Sequence, residues 1–158
     1  MTKEASKLTP LEKTKIQAEV LVPMYETLAA ELGEEKAKQL MRATLRKPIE
    51  KLAREAARNP SPRPPLENAA RGFGRFAQGG ALSYDVVEET GENLSVNVTR
   101  CAYAEFYNAL GVPELGFLFS CSNDYDVMEL LQPQLEFKRS QTLMQGASHC
   151  DFRFKVKD

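Results

Sequence analysis

The apolar positions of this chain change period about half-way along. From Thr9 to about Arg58 they recur every three or four residues. Leu11, Ile16, Val20, Met24, Leu28 and Leu32 form one run; Ala37, Leu40, Met41, Leu45, Ile49 and Leu52 form a second. That spacing is one face of an α-helix. Thr9-Pro10-Leu11-Glu12 reads as a helix start: a capping Thr, Pro in the first turn, and Glu three residues after the cap. Gly33 is placed to end the first helix. Pro23 and Pro48 lie inside the runs and are expected to kink or split them, because proline lacks the N–H a helix uses. Asn59-Pro-Ser-Pro-Arg-Pro-Pro65 is a stiff linker. A short helix or irregular segment then leads to Gly72-Phe-Gly-Arg-Phe76 and Gly79-Gly80.

Beyond that point the period falls to two. Leu82, Tyr84 and Val86 alternate on one side of Glu89–Asn93, and Leu94, Val96 and Val98 on the other, which is a hairpin signal. Ala102 to Leu110 reads as a short helix stopped by Gly111-Val-Pro113, and Glu114 to Phe119 as helical or irregular. Asn123 to Leu131 reads as another helix, capped by Ser122, Asn123 or Asp124. Leu135–Leu143 and Cys150–Val156 are expected strands joined through Gly146. The fold class is α+β: an N-terminal helical hairpin packed on a roughly four-stranded antiparallel sheet with a helical crossover. Residues 1–158 form one expected domain: a helical part over about 9–58, the linker over 59–65, and an α+β part over about 72–157.

Composition narrows the class without choosing a function. The chain has 158 residues, enough for one real core, with 42% apolar and 27% charged positions. A net charge of −1 gives no reason to expect a nucleic-acid partner. No apolar run approaches a membrane span, and the polar N-terminus leads to no signal core. The expected compartment is the cytoplasm, where three cysteines are free thiols or metal ligands rather than disulfides.

The chemistry-bearing residues are few. Cys101 and Cys121 each precede an expected helix, whose N-terminal partial charge favours a thiolate. Cys150 opens the last strand beside His149, the only histidine. Neighbours on a strand face opposite ways, so a direct Cys150–His149 pair is not expected unless the turn bends. The competing reading for any single cysteine is a small buried hydrophobe. Three thiolates, with or without His149, are a possible zinc set, but their wide spacing and the lack of a C-x-x-C argue against metal. Ser120-Cys121-Ser122-Asn123-Asp124 concentrates polar groups that could position water or cap a helix. Arg100, Arg139 and Arg153 are candidate clamps for a substrate carboxylate, or members of an exposed sheet face. Gly72-Phe-Gly-Arg lacks the context of a phosphate loop and is set aside.

Several stretches carry a family resemblance. They are Val98-Thr-Arg-Cys101-Ala-Tyr-Ala-Glu-Phe-Tyr107, Leu110-Gly-Val-Pro-Glu-Leu115, Cys121-Ser-Asn-Asp124, Arg139-Ser-Gln-Thr142-Leu-Met-Gln-Gly146 and Cys150-Asp-Phe-Arg-Phe154. With Lys15–Tyr25 in the helical opening, this pattern resembles the L-2-amino-thiazoline-4-carboxylate hydrolase family. A looser similarity runs to small-molecule-binding domains of the 4-vinyl-reductase type. The family resemblance implies ring opening of a cyclic isothiourea to an N-carbamoyl-cysteine. Such a reaction needs a nucleophile at the amidine-like carbon, an acid to pair with the protonated ring, and a cation for the carboxylate. The expected nucleophile is Cys150, with Cys101 second. Cys121 and Asp124 form the opposite wall, and Asp124 or Asp151 pairs with the ring. Arg100, Arg139, Arg153 and His149 are expected to bind substrate. No cofactor is expected, the partner is a small molecule, and a homo-oligomer stays open. The alternatives are a non-catalytic sensor domain with a thiol-lined pocket and a zinc hydrolase using the three cysteines.

Overall fold

The computed structural model describes residues 8–158, so the polar stretch 1–7 lies outside the described residues. Helix α1 (Pro10–Leu32) starts at the expected capping box: Thr9 Oγ1 accepts from Glu12 N, and the Glu12 carboxylate accepts from Thr9 N. Gly33, at φ 83°, supplies the break that a side chain would resist, and α2 (Glu34–Arg58) folds back. The expectation that the prolines kink or split the helices is corrected as to splitting: both helices run unbroken through Pro23 and Pro48. Both prolines are exposed, so the carbonyls of Glu19 and Thr44 that lose an N–H partner can turn to water.

The linker ends where Pro65 takes the first turn of α3 (Pro65–Phe76). Strands β1 (Leu82–Glu89) and β2 (Asn93–Cys101) form the hairpin. Then come α4 (Ala102–Ala109), α5 (Pro113–Gly116), a π-helical turn over Phe117–Cys121, and α6 (Asn123–Leu131). Strand β3 (Leu135–Lys138), a tight turn over Leu143–Gln145 and β4 (Cys150–Val156) complete the chain. The sheet is antiparallel in the order β1-β2-β4-β3. The fold is therefore α+β, with the helical N-terminal part packed on the sheet: α3 touches it directly, and the hairpin joins through the crossover helices.

One face of the sheet is buried. Register places Leu94 opposite Phe154, Val96 opposite Phe152 and Val98 opposite Cys150, so all six share that face. Phe73 of α3 meets Phe152 edge-on at 4.9 Å and Phe154 at 5.9 Å. The other face carries Asn97, Asp151, Arg153 and Lys155. α2 is tied to α6 by charge: Asp126 is buried, pairs with Arg46 and lies 3.6 Å from Arg42.

Two boundaries differ from expectation. β3 stops at Lys138 instead of running to Leu143. The amides of Ser140 and Gln141 donate to Asp151 Oδ1, both at 2.9 Å, so a side chain takes the bonds a strand would have used. The segment before α6 is helical, not a loop. Ser122 N bonds Phe117 O at 2.8 Å, Ser122 Oγ donates to Leu118 O, and Asn123 donates to Phe119 O. There is no free helix end for Ser122, Asn123 or Asp124 to cap.

Candidate functional site

The site grows from three distant stretches that meet at one edge of the buried face. β2 delivers Cys101 to the N-cap of α4. The π turn delivers Cys121, and α6 begins with Asp124 one turn later. β4 delivers Cys150, and the chain leaving β3 delivers Arg139.

Arg139 is the centre of the arrangement. Its side chain is only 2% exposed, and it reaches Asp124 Oδ2 at 2.5 Å and the Cys121 carbonyl at 3.0 Å. Its guanidinium lies 5.2 Å from the ring centres of Tyr125 and Phe152, and about 6 Å from those of Phe117 and Phe137. This aromatic cage was not legible in the sequence, where Phe137 and Phe152 signal only strand core.

All three thiols are held above the ordinary cysteine range, first by burial. For Cys101 the amides of Ala104 and Tyr103 act against the rise, while Asp124 adds to it. For Cys121 the rise is largest; after burial, Asp124 raises it further, Arg139 opposes, and Cys101 and Cys150 contribute repulsion. Cys150 is 7% exposed, and its Sγ accepts from Leu143 N at 3.2 Å. The three thiols, Asp124 and Arg139 are thus within electrostatic reach of one another. Burial pushes Asp124 itself up to about 6, against the pull of Arg139. Its side chain nevertheless keeps 38% exposure and pairs with Arg139, and both of these favour the carboxylate and work against that rise.

The thiols are not equally open. A cavity of about 360 Å³ is lined by Thr99, Arg100, Cys101, Glu105, Asn108 and Leu143. A larger one of about 580 Å³ lies against α2, with Lys38, Arg42, Phe117, Leu118, Ser122 and Met144 in its wall. Of the three cysteines, Cys101 lines the smaller of these two cavities, and Cys121 and Cys150 line neither. The helix-end argument holds in position for Cys101 and fails for Cys121, which sits inside a continuous helical run.

The remaining candidates have other partners. Arg100 pairs with Glu105 at 2.7 Å and donates to Gly80 O, yet it faces the smaller cavity. Arg153 bonds Val96 O, Phe152 O and Asn97 on the polar side of the sheet, away from the thiols. Asp151 also points to that side. Burial alone would raise it, but hydrogen bonds from Ser140 and Gln141 hold it below the usual range. His149 contacts Ser148 and Gln141 instead of Cys150. Among the described residues no three His, Cys, Asp or Glu side chains stand where they could share a metal ion, and no helix is long and apolar enough to cross a membrane.

A family model described as L-2-amino-thiazoline-4-carboxylic acid hydrolase matches residues 13–154. The chain belongs to that family. The matched span takes in every residue of the thiol cluster, all of α2, and α1 and β4 except the start of the first and the end of the second. No curated protein is similar enough to count as a match. Among solved structures, the phenol-responsive sensory domain of the transcription activator PoxR, with phenol, aligns at a TM-score of 0.51 and 12% identity, over 88% of this chain and 73% of that one. A trafficking protein particle complex subunit 3 from Naegleria fowleri, covalently bound to palmitic acid, aligns at a TM-score of 0.42 and 14% identity, over 91% of this chain and 97% of that one. At 12% identity, the likeness to the sensory domain is one of fold.

Proposed function

We propose that the chain is a cysteine-centred hydrolase of a small cyclic amidine-like acid, with L-2-amino-thiazoline-4-carboxylate as the type substrate. The observation that carries this reading is Cys101, which sits at a helix N-terminus on the wall of the smaller cavity with Arg100 beside it and Asp124 in electrostatic reach. The depression, about 360 Å³ and open to solvent, has room for a small acid. Openness moves the nucleophile from the expected Cys150 to Cys101, with Cys150 behind it as a buried neighbour.

In this reading Arg100 holds the substrate carboxylate. Asp124, as a carboxylate, takes the Cys101 proton, and the thiolate adds to carbon 2 of the ring. Collapse breaks the bond from carbon 2 to the ring sulfur, which leaves with a proton as a free thiol. Water then adds to the enzyme-bound isothiouronium carbon, and the carbon–sulfur bond to Cys101 breaks. The product is N-carbamoyl-cysteine and the enzyme thiol is restored. Arg139 keeps Asp124 oriented.

A second reading, a non-catalytic small-molecule-binding domain, is favoured by two facts: burial keeps all three thiols protonated at neutral pH, and the fold is shared with a phenol-responsive sensory domain. Incubation with L-2-amino-thiazoline-4-carboxylate separates the two. New free thiol and N-carbamoyl-cysteine by mass spectrometry, lost in Cys101→Ser, support the hydrolase. Saturable binding of the same compound without turnover supports the binding domain.

A further inference from the structure

The outer face of α1 is apolar where a surface helix is ordinarily polar. Ile16, Val20 and Met24 are 53%, 60% and 43% exposed, and they follow one another at four-residue spacing. The helix buries a different side against the rest of the chain, through Ala18 with Leu21, Val22, Tyr25 and Leu28. The exposed stripe is completed by Lys13, Gln17, Thr27 and Glu31. The order Lys13, Gln17, Val20, Met24, Thr27, Glu31 alternates spacings of four and three, the pattern that brings two helices together along a seam.

That order is complementary to itself when reversed. Two copies of α1 laid antiparallel about a two-fold axis midway between Val20 and Met24 place Val20 opposite the partner copy's Met24 position and Gln17 opposite its Thr27 position. The same register brings Lys13 against the position of Glu31 at each end. Among the described residues neither Lys13 nor Glu31 is in an ion pair within the chain. The seam runs over the 19 residues from Lys13 to Glu31, about 27 Å at the helical rise. An apolar centre with opposite charges at its two ends is the arrangement a two-fold pair requires.

We propose that the outer face of α1 is a docking surface for a second copy of this chain, in an antiparallel α1–α1 pair whose two-fold axis passes midway between Val20 and Met24. The occupant is argued from charge: among the described residues α1 itself carries an acid, Glu31, where Lys13 meets the second copy, and a base, Lys13, where Glu31 does.

Sedimentation of the full chain at tens of micromolar tests this. The expected mass is twice 17.7 kDa. Val20→Glu is expected to give the monomer, with the helical circular dichroism unchanged because Val20 contacts solvent. Lys13→Glu and Glu31→Lys are each expected to weaken the dimer about ten-fold or more, and combining them to restore it, since the charges then oppose again with reversed sign. A monomeric wild type overturns the proposal. So does a dimer indifferent to Val20→Glu, or a double charge reversal no better than either single one.

Discussion

Arg139 and Asp124 form an ion pair at 2.5 Å, although one lies just past the end of β3 and the other at the start of α6. The arginine is almost fully buried and the aspartate is not. The cation therefore needs its partner more than the anion does, because an unpaired buried charge keeps its desolvation cost. Arg139→Met removes the cage's cation and leaves Asp124 against apolar rings. Because Asp124 keeps solvent contact, the cost of Arg139→Met in urea denaturation is expected to be smaller than that of Asp124→Ala, about 3 kcal/mol, which leaves the buried cation unpaired. Arg139→Lys cannot reach both Asp124 and the Cys121 carbonyl from a single ammonium, and should fall between wild type and Arg139→Met.

Asp124 gives the chain a pH dependence whose sign follows from its shift. Its folded value, about 6, lies above the ordinary 3.8, so the folded state binds this proton more tightly than the unfolded chain does. The contribution is fully present below pH 3.8 and is lost as pH rises through about 6. Against wild type, Asp124→Asn should flatten the stability profile between those limits. If Asp124 receives the thiol proton, turnover rises through pH 6 in the wild type, and that limb is missing in the variant. A wild-type rate without an ionisation near pH 6 rejects this role.

The thiols should differ in reactivity. Iodoacetamide at pH 8 is expected to label Cys101 first, since it lines a cavity and has two helix amides near its sulfur. Cys121, raised most by burial, should stay unlabelled until the protein is denatured. Site-resolved mass spectrometry of partly labelled protein measures the order. Substrate should protect Cys101 from labelling.

Gly116 is a packing position. A methyl group there would lie 2.6 Å from Met144 Sδ and 2.6 Å from Tyr107 Cγ, closer than real contacts allow. Tyr107 and Met144 are both buried, so neither can yield freely. Gly116→Ala is expected to destabilise the fold by about 1–3 kcal/mol. It should also slow turnover by shifting the Leu143–Gln145 turn, whose first amide bonds Cys150. Thermal and urea melts of the variant check the first effect.

Local signals are short-range physics, and the chain itself determined what depends on them. The Thr9 capping box, the Gly33 break, the Leu82–Cys101 hairpin and the limits of α6 and β4 follow from turn chemistry and period. The family pattern was legible as well, because its motifs are contiguous. Tertiary structure decided the rest. Ile16, Val20 and Met24 have the helical spacing of a core face, yet they lie outward, because hairpin packing selected the side with Ala18 and Tyr25. Leu135–Leu143 has the composition of a strand, yet Asp151 captures the amides of Ser140 and Gln141 from eleven and ten residues away, and the strand ends early. Period alone could not show that Cys150 lies on the buried face while His149 and Asp151 find partners elsewhere. That depends on which strand faces which layer, and a local pattern contains no record of its distant neighbours.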